Sequence, residues 1–135
     1  MTKKNLIFAA SIALLLMIFF VACEDNNGGG DDMYYSRRIT ARQAKDMMER
    51  YSPIVLDVRS EHEFASGHIY GAILLPDYDI KYRAGELLID LDALILVYCR
   101  SGNRSRSATS LLVSMGYTNV YDFGGVNAWP YELVR

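Results

Sequence analysis

The chain has 135 residues and carries 14 Lys and Arg against 16 Asp and Glu, a net charge of −2. That length fits one domain, and a mildly acidic balance with no basic stretch beyond short pairs argues against a nucleic-acid partner. Two distant cysteines and two histidines give no metal-ligand spacing, so neither a metal nor a cofactor is expected.

Residues 1–23 differ from the rest. Lys3 and Lys4 precede an apolar run from Leu6 to Ala22, and Cys23 closes it. A charged start, an apolar middle and a small-residue end make the pattern of a signal peptide over 1–22. The ending Phe20-Val21-Ala22-Cys23 resembles a bacterial lipoprotein processing site, with Phe20 where that motif usually has Leu. The resemblance implies lipid attachment at Cys23. Two other readings stand beside it, an uncleaved membrane anchor and a soluble secreted form. As a helix the apolar run reaches about 25 Å, short of the ~30 Å hydrocarbon core, which weighs against the anchor. All three place the folded domain outside the cytoplasm, and the first two hold it to a membrane, as a periplasmic or surface protein. Residues 23–35, dominated by Asp, Asn and Gly, cannot bury apolar surface and are expected to form a flexible tether. Lipid on Cys23 leaves Cys99 as the one free thiol, so no intrachain disulfide forms and any acceptor or reductant is external.

The domain is expected over 36–135. Thr40 and Gln43 make a capping box for a helix over 41–50 with Ala44, Met47 and Met48 on one side. Pro53 breaks the chain before Ile54-Val55-Leu56-Asp57, a run suited to a strand buried on both faces. Ser60 and Glu63 make a second capping box, for a short helix ending at Gly67. Ile73-Leu74-Leu75 reads as a third short run stopped by Pro76, and a helix is expected around 80–88. Leu94 to Tyr98 is an apolar strand that ends in Cys99. After a short polar loop, Ala108, Leu111, Leu112 and Met115 fall at i, i+3, i+4 and i+7 of a helix over 105–115. Gly116 ends it, and Asn119-Val120-Tyr121 is an edge or near-edge strand. Strands alternating with helices predict an α/β fold, a small mainly parallel sheet with helices on both faces. Such sheets place their sites at the carboxyl ends of the strands, where Cys99 stands.

A thiolate, not a thiol, is the nucleophile, and a free cysteine near pKa 8.5 is mostly protonated at neutral pH. A loop curling over a helix start offers inward N–H groups and the positive end of the helix dipole. Arg100 and Arg104 add charge, each worth about 3 kcal/mol at ~5 Å and an effective dielectric of ~20. Two units of pKa need about 2.7 kcal/mol, so the loop suffices to hold Cys99 as an accessible anion. The bland alternative is a core cysteine at a strand end, which the polar residues Arg100 to Arg104 argue against. Gly102 is expected to supply a positive φ for the tight loop.

Cys99-Arg100-Ser101-Gly102-Asn103-Arg104-Ser105 resembles the active-site loop of the single-domain rhodanese-like sulfurtransferases. Three further stretches are similar to that family in the same order: Asp57-Val58-Arg59 with Glu63, Gly67-His68-Ile69-Tyr70-Gly71-Ala72 with Pro76, and Gly124-Gly125-Val126-Asn127-Ala128-Trp129. The resemblance implies a rhodanese-like fold and a transferase of the thiosulfate sulfurtransferase type. Cys99 would be the catalytic nucleophile. Arg100, Ser101, Gly102, Asn103 and Arg104 would bind substrate, with Arg104 closing the loop. Asp57, Arg59 and Ser105 would support the loop, and His68 would be a turn histidine. For Arg59 an ordinary ion pair with Glu63 is the alternative. His62 reads as solvated surface, and Tyr121, Phe123 and Trp129 as packing. The loop is of the six-residue C-x4-R form, and one residue fewer than C-x5-R removes up to ~3.8 Å of contour, which disfavours phosphoryl transfer. The implied partners are a small anionic sulfur donor and a thiol, protein cysteine or cyanide acceptor, with sulfur carried as a Cys99 persulfide. The competing functions are a membrane-tethered sulfur- or anion-binding or sensing module without significant turnover, and reduction of an oxyanion such as arsenate.

Overall fold

The computed structural model describes residues 37–135. The signal segment, Cys23 and the tether expected in the sequence lie outside the described residues.

Helix α1 (Ala41–Tyr51) opens with the capping box expected at Thr40. The Thr40 side chain accepts the Gln43 N–H at 3.2 Å, and the Gln43 side chain accepts the Thr40 N–H at 2.9 Å. Strand β1 (Ile54–Asp57) follows, then the short helix α2 (Glu61–Ala65), capped in the same way by Ser60 and Glu63. Strand β2 (Ile73–Leu74) leads through a 3-10 turn at Asp77–Asp79 into helix α3 (Ile80–Leu87). Strand β3 (Ile95–Cys99), helix α4 (Asn103–Ser114), strand β4 (Val120–Gly125) and a 3-10 turn at Val126–Ala128 complete the domain.

The four strands form one parallel sheet in the order β2-β1-β3-β4. Helices cover both faces. Ile95, Val97 and Cys99 of β3 share one core with Leu56, Val58, Ile80, Ala84, Ala108 and Leu112. Leu96 and Tyr98 point the other way, into a core with Ala44, Val55, Ile69 and Phe123, backed by Met47, Met48 and Trp129. All five β3 residues are buried, which is why the strand reads as an unbroken apolar run. The packing roles of Phe123 and Trp129 hold: the Phe123 ring lies 5.4 Å from that of Tyr98 and 5.6 Å from that of Trp129.

Of the boundaries that differ from the sequence reading, three bear on the sheet and the loop. Leu75 lies just past β2, although its N–H still bonds Asp57 O at 2.9 Å. Helix α4 starts at Asn103, two residues early, because Gly102 at φ +105° already turns the chain into it. Strand β4 starts one residue late and runs on to Gly125. Its added length includes a register shift opposite β3: Val97 pairs with Asp122, but Cys99 pairs with Gly125. The extra residue bulges the strand, and Gly124 takes it up at φ +93°. Arg38 forms an isolated parallel bridge with Asp122 on the outer side of β4.

Candidate active site

Two adjacent strands deliver the polar groups. Strands β1 and β3 run in parallel register with Asp57 opposite Tyr98, so Asp57 and Cys99 emerge at the same end of the sheet. Cys99 is 1% exposed and contributes its underside to the apolar core. This corrects the expectation of an open thiol: the loop closes over the sulfur, and Arg100, Ser101 and Asn103 face outward instead.

What lies above the sulfur is not core. The Gly102 N–H donates to Cys99 Sγ at 3.1 Å. Burial is the largest single influence on the thiol and pushes its pKa up. The N–H and hydroxyl of Ser105, with the N–H groups of Gly102 and Ser101, outweigh burial and hold the pKa below the ordinary thiol range. Ser105 is fully buried, and its Oγ lies 3.2 Å from the carbonyl oxygens of both Gly102 and Gly124. Its single hydrogen serves whichever acceptor carries most charge. Ser105 therefore acts on the sulfur itself, beyond the support role expected for it.

The cationic term expected from the two arginines is corrected. Neither ranks among the leading influences on Cys99. Arg104 turns away, and its two terminal nitrogens reach the two carboxylate oxygens of Glu63 at 2.8 and 2.7 Å. Hydrogen bonding to Arg104 is the main reason the Glu63 carboxyl is held down to about 2. Arg100 is exposed at the loop surface. So Arg104 ties the loop to helix α2, and the groups that lower the Cys99 pKa are mainly dipoles.

The hydrogen bonds of the Asp57 and Arg59 side chains go to each other, to the Arg59 N–H and to Gly67, not to the Cys99 loop. The two residues form a buried ion pair at 2.6 Å, with side-chain exposures of 0% and 6%. Arg59 also donates to Gly67 O at 2.8 Å and stacks over the Tyr98 ring at 5.6 Å. The alternative pairing of Arg59 with Glu63 is not seen, since Glu63 takes Arg104. Their support is indirect, through the Gly67 turn and through Tyr98, which precedes Cys99. His68 is a structural turn residue: its ring nitrogen Nδ1 donates to Phe64 O at 3.0 Å, and its backbone pairs with Val134 in both directions.

Sequence reasoning missed three contributors. Glu63 is legible as a helix cap, a family match and a candidate partner for Arg59, but not as the partner of Arg104 that it proves to be. Asn127 donates its N–H to Arg100 O at 3.2 Å and steadies the loop from the far side. Gly125 backs directly onto the loop: a β-carbon there would overlap the Arg100 carbonyl oxygen and lie 2.6 Å from Ser101 Cα. The Gly124-Gly125 pair was visible as a motif, but the reason for it, one glycine for the bulge and one for close approach, is tertiary.

Arg59, Glu63, Arg100 and Asn127 line a groove of about 300 Å³ beside the loop, with His62 at its wall. A larger cavity of about 490 Å³ lies elsewhere, among Met48, Val55, Ile69, Trp129 and Tyr131, and no residue of the Cys99 loop lines it. Among the described residues no cluster of His, Cys, Asp or Glu could hold a metal ion, and no helix is long and apolar enough to cross a membrane.

The family model for the rhodanese-like domain matches residues 40–131. The chain belongs to the rhodanese-like family. Its rhodanese-like domain is 37% identical over 94 residues to the thiosulfate sulfurtransferase GlpE of Pseudomonas putida, spanning 69% of this chain and 84% of that protein. The GlpE protein of Pseudomonas fluorescens is 38% identical over 96 residues, at the same coverage. Among solved structures, the rhodanese-related protein of Thermoplasma volcanium superposes with a TM-score of 0.64 at 29% identity, over 73% of this chain and 97% of that one. A rhodanese from E. coli, solved with anions, gives 0.58 at 31% identity, over 62% and 98%. The rhodanese-like fold expected from the sequence is thus the fold observed, and the activity is that of a rhodanese-type sulfurtransferase.

Proposed function

We propose that Cys99 carries sulfane sulfur from an anionic donor such as thiosulfate, or a persulfide, to a thiol or cyanide acceptor. The observation that carries this reading is a buried sulfur that accepts from a donor, the Gly102 N–H at 3.1 Å, with Ser105 and Ser101 also acting to lower its pKa. A core cysteine would have none. In the first half-reaction the Cys99 thiolate attacks the outer sulfur of thiosulfate. A bond from Sγ to that sulfur forms, the bond to the sulfonate sulfur breaks, and sulfite leaves with its electron pair. The negative charge now rests on the added sulfur, where the loop N–H groups stabilise it as they stabilised the thiolate. In the second half-reaction the acceptor's lone pair takes the outer sulfur and the Cys99 thiolate returns. This two-step covalent route predicts ping-pong kinetics.

Within this reading Arg100 draws the anionic donor to the groove, and Ser101, Gly102 and Asn103 shape the opening. The 1% exposure of Cys99 makes that opening selective: a terminal sulfur atom or cyanide reaches Sγ, while a bulky aromatic disulfide reagent is excluded. The GlpE relatives carry thiosulfate in their names, which supports the donor class. The test is steady-state kinetics with thiosulfate and cyanide varied together. Parallel double-reciprocal lines are expected, and intersecting lines would remove the persulfide intermediate.

We also propose an extracytoplasmic, membrane-anchored location through lipid on Cys23. The charged start, apolar run and closing Phe20-Val21-Ala22-Cys23 support it. Intact-mass analysis of the protein from its own membrane tests it: the mass of a lipidated chain beginning at Cys23 is expected, and an unprocessed or unlipidated mass would overturn it.

A further inference from the structure

The two arginines of the Cys99 loop stand in opposite states. Arg104, at the start of α4, is held through two hydrogen bonds by Glu63. Glu63 at the same time accepts from the Ser60 N–H and the Ser60 hydroxyl, both at 3.1 Å, as the cap of α2. One carboxylate thus ties together the first turns of two helices that are 41 residues apart in the chain. Arg104 and Glu63 are only 33% and 23% exposed, so water screens the pair less than a surface bridge. Of the two arginines that line the groove, Arg59 is committed to Asp57. Arg100 is exposed and has no carboxylate partner among the described residues.

We propose that Glu63 is a positioning residue for sulfur transfer: by neutralising Arg104 and pinning it to α2, it leaves Arg100 as the one cation that reads the charge of an incoming substrate. This rests on the sulfurtransferase reading of Cys99 and deepens it. The physical logic is a division of labour. A cation bonded to a carboxylate fixes geometry but projects little field, whereas an unpaired one at the mouth attracts anions. Were Arg104 free instead, more of its charge would fall on the sulfur, with which it already interacts weakly while held by Glu63. It would then bind the leaving sulfite and the persulfide more tightly and slow the second half-reaction. Glu63 keeps the long-range attraction at the entrance and the short-range stabilisation in neutral amides.

The experiment compares alkylation of Cys99 by anionic iodoacetate and by neutral iodoacetamide, each corrected for thiolate fraction from that variant's own pH profile. The ratio of the two rates reads the local charge and cancels general changes in loop mobility. Arg100→Gln should lower the ratio about fivefold, and Glu63→Gln should raise it about fivefold, the effect of one unscreened charge several ångströms away. Gln retains the cap acceptor, so Glu63→Gln removes charge with little change in shape. Glu63→Gln/Arg104→Gln, a neutral clamp, should return the ratio to within about twofold of the starting protein. Should Glu63→Gln alone fail to fold, the neutral clamp against Arg100→Gln still decides. A neutral clamp that lowers the ratio as far as Arg100→Gln does, or an Arg100→Gln protein with an unchanged ratio, overturns the proposal. A Glu63→Gln protein in which both reagents slow equally also overturns it, because that is the signature of a purely structural role. These readouts need no turnover, so they stay interpretable even if the protein takes no sulfur from thiosulfate, which would instead defeat the reading of Cys99 as a carrier.

Discussion

Strands β1 and β3 lie side by side and end alike, each in a chemically active side chain followed closely by arginine. They come to opposite uses. At the end of β1, Asp57 and Arg59 close on each other at 2.6 Å, nearly out of solvent, so the Arg59 charge that borders the groove is already neutralised. At the end of β3, Cys99 forms no ion pair, and Arg104 interacts with it only secondarily, its main partner being Glu63. Its arginines face a distant carboxylate or open solvent, and backbone N–H groups hold its charge. An ion pair completes itself and becomes scaffold. An anion held by dipoles keeps its reactivity, because no counter-ion must be displaced when a second sulfur is added.

Breaking the β1 side of this comparison should have the largest effect. Arg59→Gln leaves Asp57 charged and buried, at a cost of about 3–5 kcal/mol. That is a large part of the ~5–15 kcal/mol that holds a typical domain. Urea denaturation should show most of the stability lost, whereas a shift below about 1 kcal/mol would mean the pair is not the scaffold described. Next comes Gly125→Ala, which drives a β-carbon into the backbone of Arg100 and Ser101. Overpacking of this kind costs about 1–3 kcal/mol. It should also raise the Cys99 pKa toward ordinary values by displacing the Ser101 and Gly102 donors, as the pH profile of alkylation would show.

A smaller effect concerns acid. The Glu63 carboxyl is held down to about 2 in the fold, against about 4.3 in an unfolded chain. Its folded pKa is the lower one, so its contribution to stability is complete above about 4.3 and fades as pH falls toward about 2. Urea unfolding across that range should show a shallower acid limb in Glu63→Gln than in the starting protein. Thr40→Ala at the uncharged cap of α1 should lower stability by about 0.5–2 kcal/mol at every pH and leave the limb unchanged. The smallest effect on stability belongs to Arg100→Gln, within about 0.5 kcal/mol. Its signature is kinetic, a raised KM for thiosulfate with kcat nearly unchanged.

The comparison also explains what the sequence could and could not tell. Both capping boxes, the buried strands and the Cys99 loop were legible because each is local. Thr40 to Gln43 and Ser60 to Glu63 are three residues apart, and the apolar periods need no knowledge of partners. Gly102 at positive φ was legible for the same reason. The partnership of Glu63 with Arg104 was not, because a single carboxylate serves a cap three residues away and a guanidinium forty-one residues away. Only the first leaves a mark in spacing. The roles of Gly125 and Asn127 were hidden likewise, since the register shift that brings them to the loop arises between two strands. Burial of Cys99 was the finding that most favoured a plain core cysteine, and the donors on its sulfur are what answer it.

The proposed function requires this sulfur to be an ionised carrier under the N–H groups of its loop. Purified protein should be treated with thiosulfate, freed of excess reagent and weighed intact, then mapped by peptide. The mass of one sulfur atom should appear on Cys99, vanish on addition of cyanide and be absent from Cys99→Ser. An unchanged mass after thiosulfate treatment, or sulfur transfer that survives in Cys99→Ser, would contradict it.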